Sequence, residues 1–208
     1  MGIDLNKLAH VVLFLVVLPA CAILLAWALN ASVQSVVPAH WLFLYDTIGV
    51  LGAYGVLYKA FDERLWRWQG FRRLSVVDVP DLNGRWIGGV KSSHDGDGAE
   101  VKAALEIRQS FTKISVAMYF PKSRSSSIVA GFSRELDGPT ALHYEYQNTP
   151  VADATDTMHI HQGTASLRFI KASRHLDGSY YNWGRDDRGH VGTMTFRWEC
   201  KELLEQLG

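Results

Sequence analysis

The chain has 208 residues, 48% of them hydrophobic, with 21 basic and 21 acidic side chains and two cysteines. Cys21 in an apolar run and Cys200 near the end are too few and too badly placed for a disulfide-rich secreted scaffold, and zero formal net charge without a long basic run excludes a chain that coats a DNA or RNA duplex by neutralising phosphates. Aromatics at 12% and charges of mixed sign exclude wholesale disorder.

The charge is unevenly placed. Asp4, Lys7 and Asp46 are the only formally charged side chains before residue 59, so the chain is two materials joined end to end. Residues 8–29 contain no Asp, Glu, Lys or Arg, and about 20 apolar residues suffice to cross a bilayer core. That run predicts a membrane-spanning helix. A cleaved signal peptide ending at Ala26 and Ala28 is the alternative, but the run is longer than a typical apolar signal region. Pro19 falls inside it, where lipid-embedded helices tolerate proline better than soluble ones.

Residues 30–38 carry no Lys or Arg and lead to a second apolar run, 39–58, of one crossing length. Lys59, Arg64, Arg67, Arg72 and Arg73 follow it, interrupted by Asp62 and Glu63. The positive-inside rule puts this end in the cytoplasm, and two crossings return the N-terminus to the same side. Trp66, Trp68 and Phe71 alternate with these cations, as expected at headgroup level. Asp46 is costly in hydrocarbon, by about 2.5–3.5 kcal/mol. Gly49 and Ala53 lie within about 60° of it on a helix, a stripe of small residues that lets helices approach. This is either a self-association face with a polar spot, or a snorkelling or protonated Asp beside glycines that pack on the first span.

From residue 82 the pattern changes to period two, broken by turn formers, which predicts eight short antiparallel strands: 83–92, 101–111, 113–121, 125–134, 141–148, 161–171, 176–183 and 191–200. The separating stretches include 94–98, 137–139, 177–178 and 186–189, rich in Asp and Gly. No helical crossover separates them, so an up-and-down meander closing into a barrel is expected, which also removes unpaired edges. The chain thus reads as a two-helix membrane hairpin with a basic, aromatic linker over residues 1–75, followed by an eight-stranded up-and-down antiparallel β-barrel over residues 76–208.

Parity with Trp86 places Leu105, Ile107, Ile114, Val116, Met118, Leu142, Leu167, Met194 and Phe196 inside, and charged side chains such as Glu106, Arg108, Glu145 and Arg197 outside. Gly84, Gly88, Gly163, Ala165, Gly178 and Gly192 fall inside as well, leaving room for one small ligand or merely relieving curvature. Neutral polar groups share the inward parity: Gln109, Ser125, Ser127, Tyr144, Tyr146, Asn148, His161, Tyr180 and Asn182. Each unpaired buried polar group costs about 1–3 kcal/mol, so these either satisfy one another or meet a ligand. Amides, hydroxyls and aromatic faces suit a nucleobase, through edge hydrogen bonds and stacking. A ligand's phosphates would then sit at the mouth, near Lys122, Arg124 or Arg185.

Catalytic signals are weak. No P-loop, G-x-S-x-G, H-E-x-x-H or C-x-x-C occurs. His159 and His161 share a parity but have no third ligand, and Asp186 and Asp187 sit in a turn, so neither a metal nor a catalytic site is expected.

Two N-terminal spans, a short linker and a barrel carrying Ser123-Arg124-Ser125-Ser126-Ser127, the run from Leu142 to Pro150, His161-Gln162-Gly163 and Leu176-Asp177-Gly178-Ser179-Tyr180 resemble the SMODS-associated two-transmembrane β-strand-rich effectors of cyclic-oligonucleotide-based antiphage signalling systems (CBASS). The resemblance implies a bacterial inner-membrane protein that is receptor and effector at once and uses no cofactor. A partner cyclic-nucleotide synthase would make a cyclic dinucleotide, the barrel would bind it, and the spans would self-associate and breach the bilayer. The rival readings are a membrane-tethered, lipocalin-like carrier or sensor of an apolar small molecule, and a purely structural anchor.

Overall fold

The chain forms two units. In the computed structural model, which describes residues 10, 12–30, 39–73, 76–92, 100–134, 140–152, 159–183 and 189–207, one unit is Met1–Asp78 with Ser110–Thr112. The other is Val79–Gln109 with Lys113–Gly208.

The first unit is helical. A π-helical turn at Leu13–Val17 runs into α1 (Leu18–Asn30), and α2 covers Ala39–Glu63. A 3-10 turn at Leu65–Arg67 and the short α3 (Gln69–Arg73) follow. Pro19 explains the widened turn, because its ring would clash with the carbonyl four residues earlier in a regular helix. Tyr54 Oη donates to the Phe14 carbonyl within that turn, at 3.4 Å. Small residues set the approach of the two long helices: Ala22 and Ala26 are buried, and a Cβ on Gly49 would lie 3.9 Å from Ala26 Cβ. Gly49 therefore packs on the chain's own first helix. The outward faces carry exposed Leu15, Trp27, Ile48 and Leu51. Among the described residues no helix is long and apolar enough to cross a membrane.

An aromatic cluster finishes this unit. Phe61 is buried with rings of Phe14, Phe71 and Phe111 at centroid distances of 5.5, 5.3 and 5.2 Å. Asp62 Oδ1 accepts from Ser110 Oγ at 3.1 Å and from Thr112 N and Oγ1, both at 2.8 Å. The strand expected to run through Phe111 accordingly stops at Gln109, since Phe111 belongs to this aromatic cluster and its N–H is held by the Asp62 carbonyl at 2.9 Å.

The second unit is a closed barrel of eight strands in sequence order, every neighbouring pair antiparallel and β1 pairing with β8. The strands are β1 (Gly84–Ser92), β2 (Glu100–Gln109), β3 (Ile114–Tyr119), β4 (Ser123–Arg134), β5 (Thr140–Pro150), β6 (His161–Ile170), β7 (His175–Trp183) and β8 (Gly189–Cys200). Alternation builds the core: Trp86, Leu105, Ile107, Leu142, Leu167, Leu176 and Phe196 are fully buried, each such side chain stabilising by about 1.5–3 kcal/mol. The turn between β6 and β7 is Lys171–Arg174 rather than Asp177-Gly178, which lie inside β7.

Two irregularities and the glycines shape the barrel. A bulge at Ile128 puts both Ile128 and Val129 on the exposed side and returns Ala130 and Phe132 to the inner parity. A second shift lies between Arg85 and Trp86, opposite Glu199. A Cβ on Gly88 would collide with the Thr195 carbonyl, and one on Gly178 with the Ser166 carbonyl. These two glycines permit close strand approach and leave no space for a ligand, so the curvature reading holds for them.

One barrel end is stoppered by the segment preceding β1. Gln109 Oε1 accepts from Leu82 N at 2.9 Å, its Nε2 donates to the Pro80 carbonyl at 2.9 Å, and its own N–H donates to Asn83 Oδ1 at 2.8 Å. Trp86 Nε1 donates to the Leu82 carbonyl at 3.0 Å.

Candidate functional site

At the opposite end of the barrel the strand register stacks the inward polar groups in three successive rows. The first is Ser125, Asn148 and His161; the second is Ser127, Tyr146, Gly163, Asn182 and His190; the third is Ala130, Tyr144, Ala165, Tyr180 and Gly192. Below them the row of Phe132, Leu142, Leu167, Gly178 and Met194 is apolar. Period-two alternation in β5 drives this arrangement, since Leu142, Tyr144, Tyr146 and Asn148 are buried while His143, Glu145 and Gln147 are exposed.

The polar rows are not self-satisfied. Ser125 Oγ donates to Asn148 Oδ1 at 2.9 Å, which leaves Asn148 Nδ2 without a partner. Tyr144 Oη and Asn182 Oδ1 are likewise buried and unpartnered among the described residues. Asn148 is 3% exposed and Tyr144 5%, so neither polar tip is compensated by solvent. Burial pushes the Tyr144 hydroxyl well above its ordinary pKa, with the neighbouring Tyr146 adding to it, and burial also raises Tyr146, with Tyr180 contributing. Tyr144 and Tyr146 are therefore held neutral. The Tyr144 and Tyr146 rings lie 6.1 Å apart.

Two inner glycines are filled by aromatic rings. A Cβ on Gly163 would lie 2.6 Å from both Tyr146 Oη and the Tyr181 carbonyl, and one on Gly192 would collide with both Tyr180 Cε1 and the Lys91 carbonyl. The space expected at these positions is therefore occupied by the tyrosines opposite.

The remaining candidates lie elsewhere or serve the backbone. Gln109 is at the stoppered end with its amide engaged as described. Ser127 Oγ accepts from Val116 N at 2.9 Å, completing the backbone bonding beside the bulge. Arg124 pairs with Tyr119 on the outer parity, its guanidinium 5.1 Å from the Tyr119 ring, so it does not reach the interior. His161 Nδ1 donates to the His159 carbonyl at 3.0 Å at the mouth. Arg185 and the Asp46 side chain lie outside the described residues. Gly49 faces Ala26, and Ala53 is half-buried.

His190, in the second row, escaped the sequence reading although parity with Gly192 pointed to it. A pocket of about 630 Å³ spans β4–β8 at the level of the third row, walled by Ala130, Tyr144, Ala165 and Tyr180 of that row together with Glu145, Thr164, Tyr181 and Val191 of the outward parity. Among the described residues no three His, Cys, Asp or Glu side chains come together to hold a metal ion.

These features define a class: a small closed antiparallel β-barrel, stoppered at one end, with neutral polar groups unpaired among the described residues and aromatic rings at the other, of the size that holds one small ligand. Residues 77–198 match the family described as Cap15, cyclic dinucleotide receptor domain. The chain is 31% identical to CD-NTase-associated protein 15 of Yersinia aleksiciae over 82% of its own length and 78% of the relative's. It is 32% identical to the protein of that name from Escherichia albertii, over 55% of this chain and 59% of the other. For the Staphylococcus schleiferi protein the identity is 26%, over 58% and 63%. The chain belongs to the Cap15 family, a receptor and effector family of CBASS.

Proposed function

We propose that the polar end of the barrel binds a cyclic dinucleotide and that binding drives the helical units of several copies to assemble in, and breach, the bacterial inner membrane, killing the infected cell. The observation that carries the ligand reading is the trio of buried groups without a partner among the described residues, Tyr144 Oη, Asn148 Nδ2 and Asn182 Oδ1. Leaving them unmet costs about 1–3 kcal/mol each, and a ligand with base edges and ribose oxygens meets all three. The name of the matched family, and relatives whose name ties them to a CD-NTase, support a cyclic dinucleotide from a partner synthase.

The membrane part rests on the two uncharged apolar runs, on the exposed apolar side chains of α1 and α2, and on the cations that follow residue 58. Both termini are then cytoplasmic. No catalytic step is involved; the switch works by differential affinity, because a ligand that bound resting and assembled states equally would shift neither. A preference of about 10⁴-fold for the assembled state moves the population from 1:99 to 99:1.

The test is calorimetric titration of the full-length chain in detergent with cyclic di- and trinucleotides, using linear dinucleotides, haem and a fluorescent fatty acid as controls. Saturable binding of one cyclic species, lost in Asn148→Ala and retained in the variant of an outward, exposed residue remote from the polar rows, Arg197→Ala, supports the reading. Retention of haem or the lipid, with no response to any cyclic nucleotide, replaces it with the carrier.

A further inference from the structure

Two cross-strand pairs repeat one arrangement. Tyr146 stands opposite Gly163 across β5 and β6, and Tyr180 stands opposite Gly192 across β7 and β8. In both, the distal end of the ring occupies the place where a glycine Cβ would be. A ring in that position lies across the ladder, over the next strand about 4.8 Å away, instead of pointing to the barrel axis. Both rings sit in the polar rows, beside the unpartnered groups of Tyr144, Asn148 and Asn182.

We propose that Gly163 and Gly192 are positioning residues that hold Tyr146 and Tyr180 flat against the wall as two stacking platforms, one for each base of the bound cyclic dinucleotide. The proposal rests on the receptor reading above and adds how the ligand is gripped. Base stacking on an aromatic face tolerates any base, while the amides and hydroxyl alongside read edges. Two platforms suit a ligand with two bases. Alanine at either glycine would press on the tyrosine ring and on the carbonyl of the strand on its other side, Tyr181 for Gly163 and Lys91 for Gly192, so the ring would be lifted off the wall and the platform lost.

The experiment is titration of the full-length chain and its variants with whichever of cyclic di-AMP, cyclic di-GMP and cyclic di-UMP the unsubstituted chain binds, with thermal melts alongside. Tyr146→Ala and Gly163→Ala are each expected to weaken binding by about tenfold. Because both remove one platform, the double variant should be no weaker than either single one; the same holds for Tyr180 and Gly192. Tyr146→Phe keeps the face and should bind within about twofold, whereas Tyr146→Leu keeps bulk without the face and should not. Equal affinity of the Phe and Leu variants, or multiplying losses for the glycine and tyrosine changes, overturns the platforms. Should a glycine variant fail to fold, the Phe and Leu pair decides alone. An unsubstituted chain that binds no cyclic dinucleotide removes the receptor reading and the platforms with it, a result different from binding that survives loss of the rings.

Discussion

Arg85 and Glu106 stand opposite each other across the β1–β2 ladder and form a buried ion pair, Nη1 to Oε1 at 2.8 Å, with the two side chains only 2% exposed. Both lie on the outer parity, where an eight-stranded barrel normally meets water. The C-terminal segment covers them: Arg85 also donates to the Gln206 and Leu207 carbonyls at 2.7 and 2.5 Å, and Glu106 Oε1 accepts from Leu204 N and Glu205 N at 2.8 and 3.1 Å. Glu199 Oε2 completes the guanidinium's partners at 3.0 Å. The pair reads the main chain of residues 204–207 and ties the end of the chain down over β1 and β2.

Removing one partner leaves a desolvated charge, which costs about 3–5 kcal/mol, whereas replacing both with apolar residues of similar volume is far less costly. Arg85→Met alone is therefore expected to destabilise the protein more than Arg85→Met combined with Glu106→Leu. Urea unfolding of the three proteins checks the order. Equal destabilisation by the single and double variants would mean that the tail, and not the pair, supplies the stability.

Alkaline pH should weaken the fold through its tyrosines. Tyr144 and Tyr146 have folded pKa values raised above the ordinary 10.0, so the folded state holds protons that the unfolded state releases. Their contribution is complete below pH 10 and is lost as the pH rises beyond it, because ∂ΔG/∂pH is negative where the folded state binds more protons. Tyr144→Phe removes one such group together with an unpartnered hydroxyl. It should raise stability at neutral pH by about 1 kcal/mol, flatten the alkaline decline, and weaken ligand binding. Thermal melts at pH 7 and pH 11, with titration at pH 7, read all three effects. A melting point lowered at pH 7 would mean that the hydroxyl has a partner in solution.

Gln109 offers the converse test, since it shares the parity of the interior but works at the stoppered end. Gln109→Leu deletes both side-chain bonds to residues 80–82, each worth about 1 kcal/mol net and more where a buried backbone group is left unmet. A loss of about 2–3 kcal/mol in urea unfolding is expected, with ligand affinity unchanged. A parallel fall in affinity would place the ligand deeper than the three polar rows.

The course of the barrel was legible because period two persists through β2 and β5–β7, and inward Leu105, Ile107, Tyr144, Tyr146 and Asn148 follow from it directly. Parity says which way a side chain points, not what it meets. Gln109 has the parity of a ligand group, but its partners come from 26 to 29 residues earlier, a contact no local pattern encodes. The glycines read equally well as space or as close approach, and only the register reveals a tyrosine opposite Gly163 and Gly192. Phe111 continues the alternation of β2 by composition, yet its ring packs with Phe61 and Phe14. Arg124 was placed at the mouth by charge alone, although the inward parity of Ser125 already turns it outward.

The helical unit separates contacts within the chain from contacts between copies. Gly49 faces Ala26, so a larger side chain there collides with the first helix, whereas a Cβ on Gly52 or Gly55 meets nothing within 4 Å. Gly49→Leu should lower the melting temperature of the isolated chain in detergent, an overpacking cost of about 1–3 kcal/mol. Gly52→Leu should leave it unchanged, because the new side chain projects into open space. If the activated helices assemble through small residues, Gly52→Leu should instead reduce ligand-dependent cross-linking between copies and leakage from liposomes, with ligand binding intact. Asp46→Leu should likewise spare binding and alter leakage. Should Gly52→Leu cross-link and leak like the parent, the assembling surface would lie on another face of the helix pair, with exposed Leu15, Trp27 and Leu24 on the first helix the next to test.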